Sequence, residues 1–184
     1  MDQNELWMLS YYRVSEIGGA MFFGRLARTL PPSMIQSDMT QHFSDEARHA
    51  TLWTKCIRDL GAEPLRVEGA YQDQYLAATG MPANLMEVFA ITQVFEQRVL
   101  RQYSHHLAMP DAPEPVKTTL MTIMEDEKWH ISWIRRELQR MESRYGREEI
   151  ESTVRRMQSA DREVYHKMTT EHAQRAAYIT SKMS

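Results

Sequence analysis

Cysteine occurs once in this chain of 184 residues, at Cys56. A single thiol excludes an internal disulfide and any metal site built from four thiolates, and it fits a reducing cytoplasm. Glycine and proline are also scarce, seven of each. They gather between long periodic stretches instead of interrupting them, as in an all-helical chain. No apolar run approaches the roughly 20 residues that span a bilayer. The first residues, Met1-Asp2-Gln3-Asn4-Glu5, offer no basic stretch ahead of an apolar one, so no signal peptide is expected. An excess of one charge is missing too: 22 Lys and Arg stand against 25 Asp and Glu, a formal net charge of −3. That balance makes no case for nucleic acid or an anionic membrane surface as partner. A soluble, cytoplasmic protein is the expectation.

Hydrophobic residues make up 42% of the chain, enough at this length for one domain, residues 1–184, with a sizeable core. The 14 methionines recur mostly at helical spacing and read as flexible core filler. Breakers and caps divide the chain into helices. The first runs from about Glu5 to Thr29, before Pro31-Pro32, and the second from an N-cap at Ser33 to Leu60-Gly61. Residues 61–82 hold Gly61, Pro64, Gly69, Gly80 and Pro82. They read as a long connection with a helical turn near Gln72–Ala78. A third helix spans about Ala83–His106, a fourth about Val116–Tyr145, and a last one about Glu148–Lys182. Short links make each of the first two pairs an antiparallel hairpin, and the long link can cross the whole bundle. The last helix carries a broken apolar stripe, Ile150, Val154, Met157, Val164 and Met168. It packs outside the bundle or forms a subunit interface, and a homodimer is expected.

One pattern occurs twice. Glu16 precedes Asp45-Glu46-Ala47-Arg48-His49, and Glu96 precedes Asp126-Glu127-Lys128-Trp129-His130, with equivalent residues 80 (16 to 96) or 81 (46 to 127) positions apart. A glutamate and a histidine three residues apart lie about 60° from each other around a helix, so both can reach one point. Apolar neighbours turn the carboxylates inward: Leu9, Tyr12, Ala20 and Phe23 around Glu16, and Phe89, Thr92, Leu100 and Tyr103 around Glu96. Glu46 shares its face with Met39, Phe43 and Trp53, and Glu127 with Leu120, Ile123 and Ile134. Isolated carboxylates are costly to bury in ionised form. Two divalent cations would neutralise four of them, with the histidines neutral, and an oxygen and imidazole ligand set favours iron or manganese over structural zinc. The candidate ligands are Glu16, Glu46, His49, Glu96, Glu127 and His130. Asp45 and Asp126 could each accept the second ring N–H of a ligand histidine on a neighbouring helix, or stand exposed on a solvated face.

These paired motifs resemble those of the ferritin-like di-iron carboxylate superfamily, which includes rubrerythrins, ferritins, ribonucleotide reductase small subunits, multicomponent monooxygenases, and tRNA and demethoxyubiquinone hydroxylases. The resemblance covers about residues 5–145. It implies a four-helix bundle of two hairpins with a long crossover between the second and third helices, the C-terminal helix being additional. It implies two iron ions, or manganese, or a mixed pair. Glu46 and Glu127 would bridge them, Glu16 and His49 completing one shell and Glu96 and His130 the other. Rubrerythrins carry a further glutamate where this chain has Val99, and usually a rubredoxin module; ferritins usually lack the second histidine. The implied activity is therefore an oxidase or oxygenase using dioxygen or peroxide and an external electron donor on a small apolar molecule, with ferroxidase or iron handling as the alternative.

Other residues fit two readings each. Tyr12, Trp53, Tyr103 and Trp133 are core packing or an electron relay. His42 is a satisfied core histidine or a helper of the site. Cys56 is a small buried side chain, and His105-His106 ends its helix where the macrodipole favours positive charge.

Overall fold

The computed structural model describes residues 1–68 and 71–171, and among them helices occur and strands do not. The helices are α1 (Gln3–Thr29), α2 (Met34–Asp59), α3 (Tyr71–Thr79), α4 (Leu85–Leu107), α5 (Glu114–Arg140), α6 (Glu142–Tyr145) and α7 (Arg147–Glu171). Polar caps start three of them. Asp2 accepts the N–H groups of Asn4 and Glu5, Ser33 that of Gln36, and Asn84 that of Glu87, each satisfying a donor the helix leaves unpaired. Pro115 stands in the first turn of α5, where its missing N–H costs nothing. Gly61, at φ +79°, closes α2 in the left-handed conformation that glycine adopts without strain.

Two boundaries differ from the sequence reading. The crossover holds a full helix, α3, longer than the expected turn. The fourth helix does not run unbroken to Tyr145 but stops at Arg140. Met141 N–H is shared among the carbonyls of Glu137, Leu138 and Gln139, the tightening common at helix ends, and no glycine or proline marks it. The expected last helix extends past Glu171, outside the described residues.

Contacts along the helices fix their directions. Arg13 bonds Thr54 and Gly24 lies against Phe43, so α1 and α2 are antiparallel. Phe89 meets Trp133 and Glu96 meets Glu127, which makes α4 and α5 antiparallel as well. His42 approaches Glu96 and Trp53 bonds Tyr103, so α2 and α4 run the same way. Only a crossover the length of the bundle permits that. α7 lies along α4 and α3, burying Ile150, Met157, Val164 and Met168 together with the polar Thr153 and Asp161. It therefore packs on the outside of its own bundle. No helix among the described residues is long and apolar enough to cross a membrane.

The core has two apolar parts. One gathers Leu9, Tyr12, Trp53, Ile57, Leu120 and Ile123; the other Phe23, Met39, Phe89, Trp133 and Ile134. On α1, α2, α4 and α5 alike, the repeated glutamates and histidines fall between these two parts. Phe43 does not join them: it is 39% exposed. Four residues before Glu46 is closer to the same face than three, so His42 takes the inward place and Phe43 rests on the outer flank against Gly24.

Candidate metal centre

All six residues singled out from the repeat are buried: Glu16, Glu46, His49, Glu96, Glu127 and His130. They fall into two groups, each with ligand atoms within 4.8 Å of one another: Glu16, Glu46, His49 and Glu127, and His42, Glu46, Glu96 and His130. Each group could hold a metal ion, and Glu46 belongs to both. Glu127 also faces two ways, with Oε1 3.4 Å from His49 Nδ1 and Oε2 3.0 Å from His130 Nδ1.

The two histidines point the same ring atom inward. His49 Nδ1 lies 3.5 Å from Glu16 Oε2, while its Nε2 is 3.0 Å from Asp126 Oδ2. His130 likewise turns Nε2 to Asp45 Oδ2, at 3.5 Å. The aspartates thus serve the opposite hairpin, and the exposed alternative does not hold for Asp45, which is buried. Arg48 bridges both aspartates and ties the outer face of the site together. For His49, the Asp126 carboxylate on Nε2 leaves Nδ1 as the basic nitrogen, the arrangement that orients histidines toward metals; His130 Nε2 faces Asp45 without a hydrogen bond.

His42 is the residue that sequence reasoning undervalued. It is fully buried, with Nε2 3.1 Å from Glu96 Oε1 and 3.3 Å from Glu46 Oε1. Its ring stacks between Phe23, at 3.8 Å, and His130, at 3.6 Å. Neither ring nitrogen makes a hydrogen bond, so it is not a satisfied core histidine. The signal was its spacing of four residues before Glu46, which puts both on one face of α2.

Several site atoms lack hydrogen-bond partners despite full burial: His49 Nδ1, His130 Nε2, Glu96 Oε1 and Glu127 Oε1, besides both nitrogens of His42. Buried polar atoms are rarely left so without an unseen partner, and here His42 Nε2 lies beside Glu46 and Glu96, and His49 Nδ1 beside Glu16 and Glu127. Gly19 belongs to the same construction. A Cβ there would lie 2.1 Å from Glu46 Oε2, so the carboxylate occupies space that only glycine leaves. The residues present fit a pair of divalent cations.

Burial and neighbouring charges move the titrations of the cluster in opposite directions. Burial, reinforced by the neighbouring carboxylates, raises Glu46 and Glu96 well above the usual carboxylate range. Burial also opposes charge on Glu127, but His130 and His49 outweigh it and hold that carboxyl well below the range. Burial opposes charge on His49 as well, but the carboxylates of Glu127 and Glu16, 3.4 and 3.5 Å from Nδ1, outweigh it and lift the ring to about 11. His42 goes the other way: burial, then His130, keep it neutral.

The surrounding aromatics are not all inert packing. Tyr103 OH donates to Glu16 Oε1, and Trp53 Nε1 donates to Tyr103 OH at 3.2 Å. Tyr12 packs edge-on against Tyr103. Trp133 stays within the apolar core, and Cys56 is buried as expected. His106 departs from expectation: burial lowers it to about 4, so it is neutral and adds no charge at the end of α4.

Two spaces adjoin the site. A cavity of about 20 Å³ touches Glu16, Glu46, Glu96, Glu127, Tyr103 and Val99, enough for roughly one water. An apolar groove of about 570 Å³ runs between α1, α3 and α4. No protein-family model matches the chain, and neither does any curated protein or solved structure.

Proposed function

We propose that this chain is an oxidoreductase of the ferritin-like di-iron class. It would hold two iron ions (manganese or a mixed pair being the variants) and use dioxygen or peroxide to oxidise a small apolar substrate. The observation that carries this reading is the pair of buried ligand groups sharing Glu46. Two antiparallel hairpins joined by a long crossover, with Glu-x-x-His pairs on facing helices, are the arrangement in which such centres are built. Four carboxylates balance two divalent cations, and the unpaired atoms of His42, His49, Glu96 and Glu127 gain partners. When bound, the metals supply Lewis acidity and the electrons that dioxygen requires, renewed by an external donor.

The chain's own residues supply geometry and dryness. Asp126 holds His49 with Nδ1 inward, and Asp45 faces His130 Nε2. Tyr103 fixes one oxygen of Glu16 through its hydroxyl. The two apolar parts of the core close the site above and below, excluding water from it. The adjoining groove favours substrate oxidation over iron handling, which has no use for an apolar wall.

The test is anaerobic Fe(II) loading followed by a pulse of oxygen. Uptake of about two irons per chain, as a two-metal bundle site requires, is expected, with a transient near-ultraviolet or visible absorbance band. Zero or one iron rules out the paired centre. Uptake far above two per chain would assign the protein to iron handling.

A further inference from the structure

The groove takes no part in ligation, and its walls indicate what it can hold. Its volume, about 570 Å³, lies in the roughly 300–1,000 Å³ range of small-molecule sites. Phe22, Leu26, Leu76, Val88 and Ile91 line it. Gln72 and Phe95 line both the groove and the small cavity against the carboxylates, so one layer of side chains separates the two spaces. Gln72 is fixed there: its Nε2 donates to the Ser15 carbonyl at 2.6 Å, and its side chain passes beside Gly18.

Two charged side chains border the groove, Arg25 and Asp73. Asp73 adjoins Gln72 at the inner end. Arg25 stands seven residues beyond Gly18 on α1, about 10 Å farther along the helix axis. Arg25 is exposed and has no ion-pair or hydrogen-bond partner among the described residues. A guanidinium in that state offers a two-pronged site for a carboxylate, and an acid bound there is kept away from Asp73.

We propose that the groove binds a medium-chain carboxylic acid, with its carboxylate on Arg25 and its alkyl end against the Gln72–Phe95 partition. The acid is then the substrate class of the centre, which rests on the oxidoreductase reading; its binding does not. Octanoate or decanoate spans the distance from Arg25 to the partition.

Calorimetric titration of the full chain with decanoate, with and without Fe(II), tests this. Saturable binding at one per chain is expected. Leu76→Trp, which fills the groove from α3, should weaken it at least tenfold, and so should Leu26→Trp on α1. Arg25→Ala should weaken decanoate binding at least tenfold while leaving decanol binding unchanged. All three variants should keep the parent's circular dichroism and melting temperature. Binding that survives both tryptophans, equal losses of decanoate and decanol in Arg25→Ala, or no binding to the full chain overturns the proposal. So does a dimer that Leu76→Trp dissolves while decanoate fails to bind the parent, since the groove's occupant is then a second copy. Failure here leaves the iron-loading result standing, and failure of iron loading leaves metal-free decanoate binding standing.

Discussion

Glu46 sits where it does because residue 19 has no side chain. An added Cβ would meet Oε2 at 2.1 Å and Cδ at 3.0 Å, and the carboxylate, not the helix backbone, is the part that can move. Gly19→Ala should therefore spare the fold and displace a carboxylate common to both candidate metal groups. We expect iron uptake to fall from about two per chain to well below one, while the melting temperature of the metal-free protein changes by only a few degrees; full uptake in this variant would remove Glu46 from the ligand set. Protonation gives a second prediction at this scale. Burial and the neighbouring carboxylates raise Glu46 and Glu96 above the ordinary carboxylate range, and His49 is raised to about 11, so each keeps its proton to higher pH than a free group would, and a cation must compete with those protons. Affinity then falls as pH falls, because competition only grows. Mn(II) titrated in buffers of different ionisation enthalpy should release protons at neutral pH and bind at least about tenfold more weakly near pH 5.5 than near pH 7.5. A flat profile would mean that these residues do not ligate.

Among the elements, α7 was the hardest to place from sequence, and the reason is specific. Its apolar positions leave gaps at Thr153 and Asp161, and both turn out to be buried. Counted as inward, they complete one face through Ile150, Thr153, Met157, Asp161, Val164 and Met168. An aspartate can be recognised as inward only when its partner is known, and here the partners lie on other helices. Arg98 of α4 bonds both carboxylate oxygens, Tyr71 of α3 donates to one of them, and Tyr165 lies under the Arg98 guanidinium at 4.0 Å. The first four long helices were legible because caps, Pro31-Pro32 and Gly61 mark their ends; the break at Met141 carries no such mark. Asp161→Ala should cost about 3–5 kcal/mol, as for other buried pairs that lose one member, since Arg98 is left 16% exposed without its counter-ion. Urea denaturation measures this. Iron uptake should stay near that of the parent, because the network touches none of the seven candidate ligands; loss of uptake together with stability would show that α7 and α3 hold the candidate centre in shape.

For the whole molecule, the two hairpins share four site positions (Glu16/Glu96, Asp45/Asp126, Glu46/Glu127 and His49/His130) and differ at two others inside the site. An offset of 81 sets His42 against Ile123, and an offset of 80 sets Gly19 against Val99. The repeat was what made six candidate ligands legible, and reliance on it is also why His42 was read only as a core histidine or a helper of the site: a residue without a counterpart in the other copy falls outside the pattern. Its presence makes the centre unequal. One group draws on His42 and His130, the other on His49 alone, so two ions held there would differ in donor set and in net charge. Nitrogen and oxygen donors split iron levels differently, and the anaerobic Fe(II)-loaded protein should show two distinct Mössbauer quadrupole doublets of equal area. His42→Ile copies the side chain that the second hairpin already buries at the matching position, where Ile123 is fully enclosed, so the core has a precedent for it. The variant should still load iron, with the two doublets drawn together as each group is left with one histidine. Doublets that are already indistinguishable in the parent, or unchanged in the variant, would place His42 outside the coordination shell and leave the two halves equivalent.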